Sequence, residues 1–298
     1  MVLPALTVLN PRYAVRRPLG EAGPFSITYL GWDIETEEQV IIQEYLPSEL
    51  AGRADEGPDV VASDNEKQAA LFQAGLKYFL KEAAVLTEIE HPSVIPVRAP
   101  FRALGTAYRV WEQRSGMSLA EAIEKKGTLS ERAALTIVGA ALDALGATHE
   151  RGLLHGGISP ENIFLTKDGR ALLHNFRSAF IQLARRNDQL DVAVHAGTSA
   201  PEQYAANGKQ GPWTDVYACA ATVCHVVTGM APPSAPDRLE DDPLAARLEA
   251  EERLTLAVRE VLLDALALDP RSRTRSAQAF RQQLQDALAA PAPRPQLK

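Results

Sequence analysis

The spacing of apolar residues changes once along this 298-residue chain, in the stretch Glu112–Ser118. Before it, short runs of β-branched and aromatic residues alternate with turns that contain Gly and Pro, a pattern typical of β-strands. After it, apolar residues recur at the three- and four-residue intervals of amphipathic helices. The two patterns predict an α+β chain with a strand-rich first lobe and a larger, mainly helical second lobe, and a ligand is expected in the cleft between such lobes.

One long helix is predicted inside the first lobe, after the polar and turn-rich segment Leu46–Asp64. Ser63 and Glu66 are spaced as a capping box at its start, and its apolar residues fall on one face. In the second lobe, Asp168-Gly169 between two apolar runs indicates a hairpin. The strands predicted in the first lobe are Tyr13–Leu19, Ser26–Trp32, Glu38–Tyr45, Val94–Ala103 and Thr106–Gln113.

Composition and charge exclude several classes of protein. The net charge of −7 argues against nucleic acid as a partner, and no apolar run reaches the ~18 residues that a membrane-spanning helix needs. The two cysteines, Cys219 and Cys224, lie in an apolar helical stretch and are interpreted as core residues. A protein of the reducing cytoplasm is therefore expected, with no membrane contact within this chain.

The most specific motif is the run His155–Ile163, which reads H-G-G-I-S-P-E-N-I between a helix and a strand. It resembles the catalytic loop of protein kinases, H-R-D-x-x-x-x-N. Further kinase-like motifs occur in the same order along the chain: Val40–Gln43 for V-A-I-K, Glu82 on the first long helix, Asn175–Arg177 for D-F-G, Ala200–Glu202 for A-P-E, then Asp215 and Arg273.

The chain is thus identified as a member of the protein kinase superfamily, similar to a bacterial Ser/Thr kinase subgroup. The resemblance implies a bilobal fold, with an N-lobe of antiparallel strands and one helix over residues 12–113. A mainly helical C-lobe is implied over residues 114–289, and the Pro-rich residues 290–298 are expected to be disordered.

Several positions depart from the family's catalytic pattern. Gln43 stands where the resemblance places the phosphate-binding lysine, Gly157 replaces the catalytic-loop aspartate, and Asn175 replaces the metal-binding aspartate. Gln43 leaves Glu82 either partly solvated or with another partner, such as Arg177. No catalytic residues and no metal site are therefore predicted.

The nucleotide pocket is expected to be crowded rather than open. The resemblance places Ile41 and Phe164 on the two faces of an adenine and Trp111 just before the hinge, and these large side chains can fill the pocket. Asn162 keeps the family's residue, with a catalytic and a structural interpretation equally open. No cofactor is expected, while ATP and Mg²⁺ are left undecided.

The intact positions favour a structural role. The residues expected to maintain a kinase-like scaffold are Glu82, His155, Phe176, Glu202, Asp215 and Arg273. The leading prediction is a catalytically inactive pseudokinase without tight ATP binding, a scaffold or regulator in bacterial signalling. Its partners would be other proteins, with an active kinase, a phosphatase or a phosphopeptide-binding protein as candidates. The alternatives are a non-catalytic nucleotide switch and an unusual kinase-fold nucleotide transferase.

Overall fold

The computed structural model describes residues 2–186, 194–205 and 207–290. It divides into two compact units. Unit 1 comprises Met1–Ser115, Arg151–Leu153 and Phe176–Ala193, and unit 2 comprises Gly116–Glu150, Leu154–Asn175 and Val194–Lys298. The predicted disordered tail, apart from Ala290, lies outside the described residues.

Unit 1 is built on a six-stranded antiparallel sheet. Its strand order is β1-β2-β3-β4-β8-β7, so the central β4 pairs with both β3 and β8. Buried and half-buried residues alternate along β3, as its sequence pattern requires. The strands are β1 (Val8–Leu9), β2 (Tyr13–Pro18), β3 (Ser26–Asp33), β4 (Glu38–Tyr45), β7 (Val97–Ala103) and β8 (Thr106–Glu112).

A two-stranded hairpin, β5 (Ala51–Arg53) and β6 (Val60–Ala62), occupies the segment predicted to be only polar turns. It is anchored by Arg53, whose Nη1 donates to Glu44 Oε1 at 2.8 Å. Glu44 is fully buried and also accepts hydrogen bonds from the hydroxyls of Tyr29 and Tyr108. Because Tyr29 and Tyr108 lie on two other strands of the sheet, the ion pair of Arg53 with Glu44 ties the polar segment to the sheet, which explains why the segment is ordered.

Helix α1 (Glu66–Thr87) packs on the sheet through the apolar face predicted for it. Its N-cap is Asn65, whose side chain accepts from the backbone N–H groups of Lys67 and Gln68, rather than the expected box of Ser63 and Glu66. A short helix, α4 (Ser178–Ala184), packs against α1 within the same unit and buries Leu183 completely.

Unit 2 contains a three-stranded sheet of order β11-β10-β9 and a set of packed helices. The predicted hairpin forms between β10 and β11. Its strands are β9 (Gly116–Ser118), β10 (Ile163–Thr166) and β11 (Ala171–Leu173). Its helices are α2 (Leu119–Lys126), α3 (Glu131–His149), α5 (Pro212–Thr228), α6 (Ala235–Glu240), α7 (Leu244–Glu249), α8 (Leu256–Ala265) and α9 (Ala277–Ala289).

The core of unit 2 forms where α3 packs against α5 and α9. Along most of its length α5 is buried on all sides, and Cys219 and Cys224 are free thiols inside it. Burial raises the pKa of Cys224 to about 12, so the thiol stays protonated and acts as an apolar core group. Among the described residues, no helix is long and apolar enough to span a bilayer.

Candidate functional site

In unit 1, the position expected to carry a lysine is occupied by the amide of Gln43, which is only 3% exposed. Gln43 lies directly opposite Arg109 in the pairing of β4 with β8. The Arg109 Nε donates to Gln43 Oε1 at 2.6 Å, and Gln43 Nε2 donates to Ser26 Oγ at 2.9 Å. A positive charge is therefore present beside position 43, although it comes from the neighbouring strand.

Arg109 completes a buried ion pair with Glu82 on α1. Its Nη1 lies 2.5 Å from Glu82 Oε1, and both side chains are 2% exposed. Of the two alternatives for Glu82, a partly solvated carboxylate or one with another partner, the structure has the second, with Arg109 as the ion-pair partner. Burial raises the pKa of Glu82, while Arg109, the backbone N–H of Ala179 and the charge of Arg177 oppose that rise. The carboxylate is held by named donors rather than by water.

Two residues expected beside a nucleotide lie in the same unit. Trp111 is 9% exposed, and the Arg109 guanidinium lies 5.8 Å from the centre of its ring. Ile41, its direct cross-strand neighbour, is half-buried. The turn before β3 carries Phe25, whose ring stacks on Phe180 of α4 with centroids 5.2 Å apart.

In unit 2, the loop that begins at His155 is tied to the first turn of α5. The Asp215 carboxylate accepts the backbone N–H of His155 at 2.9 Å and that of Gly156 at 2.8 Å. His149 Nε2 lies 2.8 Å from the same carboxylate. Burial raises the pKa of Asp215, but His149, His155 and the Gly156 N–H outweigh burial and hold it below its usual value. The start of this loop is therefore held by a buried, charged carboxylate.

The loop folds so that Asn162 meets Asn175. Asn175 Nδ2 donates to Asn162 Oδ1 at 3.0 Å, and Asn162 Nδ2 donates to the Gly157 carbonyl at 2.7 Å. Asn175 has a φ of 61°, which asparagine tolerates better than most residues. Sequence placed these residues thirteen positions apart in two separate motifs, and the structure brings their amide groups together.

This pair of amides is a poor match for a dedicated metal site. Mg²⁺ is usually held by one or two carboxylates together with substrate phosphates and water, whereas Asn162 and Asn175 offer neutral oxygens. One of those oxygens already accepts a hydrogen bond. No group of His, Cys, Asp and Glu side chains arranged around a metal occurs in the parts of the chain that the structure describes. We therefore assign no step of the chemistry to a metal held by these residues.

His155 is a fully buried packing residue of the loop. Its Nδ1 accepts the N–H of Gly157 at 3.2 Å, and its Nε2 lies 2.9 Å from the carbonyl oxygen of His174. These contacts fix the orientation of the ring within the loop. Phe164 on β10 is half-buried and meets the His174 ring edge-on, with centroids 6.3 Å apart.

A second ion pair lies deeper in unit 2. Arg273 Nη1 lies 2.8 Å from Glu202 Oε1, with side-chain exposures of 0% and 5%. Glu202 Oε1 also accepts the hydroxyl of Thr214 on α5, and Arg273 donates to the carbonyls of Ala267 and Leu268. The pair joins the segment after residue 194 to α5 and to the turn before α9.

Sequence reasoning missed two residues of these arrangements, Arg109 and His149. Arg109 lies within a predicted strand and looks like an ordinary polar position there. The signal that could have found it was the loss of charge at position 43, because a buried Glu82 then needs a cation from elsewhere. Phe176, expected in the scaffold, is 2% exposed in unit 1, where its carbonyl accepts Arg109 Nη2 at 3.0 Å.

The family model and the sequence relatives found by comparison agree on one family. The sequence model described as "Protein kinase domain" matches residues 59–284. The serine/threonine-protein kinase C of Synechocystis sp. is 28% identical over 96% of this chain and 51% of its own length. The serine/threonine-protein kinase pkn2 of Myxococcus xanthus is 28% identical over 78% of this chain and 26% of its own length. The chain therefore spans about half or less of these curated relatives.

A solved structure described as "PpkA-294 apo form" superposes with a TM-score of 0.79 at 29% identity. The match covers 95% of this chain and 99% of that one. Together with the antiparallel sheet of unit 1 and the helices of unit 2, it confirms the predicted α+β kinase fold.

The prediction of a catalytically inactive pseudokinase scaffold is wrong, because the matching family and the named relatives are protein kinases and point to an enzyme. That prediction treated the side chains at Gln43, Gly157 and Asn175 as irreplaceable. Phosphoryl transfer depends mainly on positioning and charge stabilisation, which other residues can supply. The same finding removes the ground for expecting no tight ATP binding. This chain belongs to the protein kinase family.

Proposed function

We propose that this chain is a protein kinase domain that transfers a phosphoryl group from a nucleoside triphosphate to a Ser or Thr hydroxyl of a protein. The choice of acceptor is taken from the named relatives, which are Ser/Thr kinases. The observation that carries the proposal is the loop of unit 2, in which Asp215 anchors His155 and Gly156 and the fold brings Asn162 to Asn175.

The anchored loop supports catalysis by fixing geometry. Holding reacting groups in place can lower a barrier by ~7–11 kcal/mol, more than any single proton transfer contributes. The loop backbone is held at two consecutive N–H groups by a buried carboxylate, and its far end is held by the Asn162–Gly157 hydrogen bond. Asn162 is proposed as the residue that orients the polyphosphate side of the reaction.

Gly157 determines the expected speed of the reaction. A carboxylate base at that position would contribute ~10²–10⁴ in rate, and glycine has no side chain to accept a proton. The acceptor hydroxyl must then lose its proton to solvent during or after transfer. The proposed activity is accordingly slow, and it relies on positioning more than on proton transfer.

The proposal is tested with the purified 298-residue chain, γ-labelled ATP, Mg²⁺ or Mn²⁺, and generic protein acceptors. Label is expected on Ser or Thr, and Asn162→Ala should abolish it without lowering the melting temperature below the assay range. The matched control is Asn207→Ala, an exposed asparagine of the same unit, which should keep the wild-type rate.

Two results would contradict the proposal. One is the absence of γ-label in any acceptor, including the chain itself, under both metals and with folded protein. The other is incorporation of label from α-labelled ATP, since that outcome would assign the domain to nucleotide transfer instead.

A further inference from the structure

The most deeply buried cation among the described residues of unit 1 is Arg109, in the middle of β8. It is 1% exposed, which is rare for arginine because an unpaired buried charge is very costly. Its guanidinium lies 5.1 Å from the centre of the Phe79 ring and 5.8 Å from that of Trp111. A charge kept in such surroundings must be matched by nearby acceptors.

Those acceptors come from three different parts of unit 1. Nε donates to Gln43 Oε1 on β4 at 2.6 Å, Nη1 to Glu82 Oε1 on α1 at 2.5 Å, and Nη2 to the Phe176 carbonyl at 3.0 Å. The planar fork of a guanidinium can serve three directions at once, which the single nitrogen of a lysine does less well.

The hydrogen bonds continue beyond the guanidinium at both ends. Gln43 Nε2 in turn donates to Ser26 Oγ at 2.9 Å, at the start of β3. Glu82 Oε2 accepts the backbone N–H of Ala179 at 2.7 Å, in the first turn of α4. One arginine therefore links the start of β3 to the start of α4.

Position 43 and position 109 are cross-strand partners, so their side chains reach the same neighbourhood from adjacent strands. A cation at either position can approach Glu82, whereas two cations would repel each other there. In this chain the cation lies on β8, at Arg109, and its cross-strand partner at position 43 is the neutral Gln43.

We propose that Arg109 is the positioning cation of this kinase domain, supplying from β8 the charge expected at position 43 and fixing Glu82, Gln43 and the start of α4 relative to one another. This inference deepens the proposed function and rests on it for its effect on catalysis. Its structural part can be measured without any activity.

The test compares Arg109→Met, the double variant Gln43→Lys/Arg109→Met and the control Arg102→Met, an exposed arginine on β7. Hydrogen exchange of peptides covering residues 176–186 reports on the Ala179 N–H. In Arg109→Met we expect exchange there to accelerate by roughly 10²-fold or more, since breaking a buried pair removes the partner of Glu82. The double variant should recover most of that protection, and Arg102→Met should match the wild type.

Phosphoryl transfer provides the second readout. In Arg109→Met we expect kcat to fall about 10²-fold, the scale of a small misplacement of reacting groups, and the double variant should recover part of it. Melting temperatures of the wild type and the three variants are measured alongside, so that an effect confined to residues 176–186 is separated from a general loss of stability. If the wild type transfers no phosphoryl group while the exchange results follow the expected pattern, the proposed function fails and the positioning role stands.

Unchanged exchange in Arg109→Met, or no recovery in the double variant, overturns the inference. If Arg109→Met does not fold, Arg109→Lys takes its place, because lysine keeps the charge and loses the fork. Faster exchange at residues 176–186 with a near-normal melting temperature is then expected. Wild-type protection in Arg109→Lys would show that the three-way contact has no positioning role.

Discussion

At the scale of single residues, buried charges decide the arrangement of both units. Glu82 in unit 1 and Asp215 in unit 2 are each almost inaccessible to solvent, and each carboxylate is surrounded by donors. A buried charge without such partners would cost several kcal/mol. Their donors come from segments far apart in sequence, so each carboxylate ties distant parts of its unit together.

Gly157 provides the sharpest prediction at this scale. Its φ is not among the positive values found in the described chain, unlike that of Gly156 at 71°, so a side chain is compatible with its backbone. Gly157→Asp should raise the rate of phosphoryl transfer by ~10²–10⁴ by supplying a general base. The measurement is kcat with γ-labelled ATP and a Ser-containing acceptor.

The control is Gly157→Asn, which has the same size and cannot accept the proton. It should leave the rate within a few-fold of the wild type. Equal acceleration in both variants, or none in either, would show that a base at position 157 is not what limits the reaction.

At the scale of elements, local patterns predicted the strands of unit 1 better than its contacts. β4 was predicted with its observed bounds, and β3 to within one residue, because alternation and turn residues are local signals. The β5–β6 hairpin and α4 were not predicted. Arg53 stabilises the hairpin through Glu44 on β4, and the Ala179 N–H bonds to Glu82 across 97 residues, so both elements depend on partners outside their own segment.

The same distinction applies to the site. The positions of Gln43, Gly157 and Asn175 could be read from motifs, whereas the cation that serves Glu82 could not. Along β8, residues 106–111 are all buried, so alternation carries no information about which of them faces α1. Only the three-dimensional pairing of Gln43 with Arg109 identifies the donor.

Two glycines inside helices test how closely the elements pack, because replacing them is expected to change the melting temperature in opposite directions. A methyl group at Gly75 of α1 would overlap the Tyr45 hydroxyl and lie 2.7 Å from Leu183 Cδ2 of α4. At Gly146 of α3, the nearest atom would be Gln278 Nε2 at 3.4 Å, an ordinary contact. Gly75→Ala should therefore lower the melting temperature, despite the ~1 kcal/mol by which alanine favours a helix.

Gly146→Ala is the matched control and should raise the melting temperature slightly, because it gains helix propensity without a clash. Thermal unfolding followed by circular dichroism measures both variants. Stabilisation by Gly75→Ala would mean that Tyr45 and Leu183 do not approach Gly75 this closely in solution.

At the scale of the whole molecule, the chain matches 99% of the solved chain described as "PpkA-294 apo form" while spanning about half or less of its curated relatives. The family model begins at residue 59, yet the first strands of unit 1 are folded and buried residues such as Leu3 and Leu9 belong to its core. Residues that precede the family match therefore contribute to the core of unit 1.

Nucleotide binding is the prediction that belongs to this scale. If the chain is a kinase domain, ATP at a hundred times its dissociation constant should stabilise the folded state by ~2.7 kcal/mol. For a cooperative chain of this length, that corresponds to an increase of about 4 °C in melting temperature. Differential scanning fluorimetry with ATP, ADP and Mg²⁺ measures it, with inorganic phosphate as the control ligand. An unchanged melting temperature at millimolar ATP would contradict the proposed function.

The location of the cation at Arg109, beside a neutral Gln43, has a consequence for chemical detection. Reagents that acylate an amine placed near a bound nucleotide need a lysine there, and a glutamine amide is not nucleophilic. The Arg109 guanidinium is not an amine, so it does not take the place of a lysine in that reaction. A survey of cell extracts with amine-directed nucleotide probes would pass over this domain even when it is abundant and folded, so its occupancy has to be followed by heat stability or by exchange.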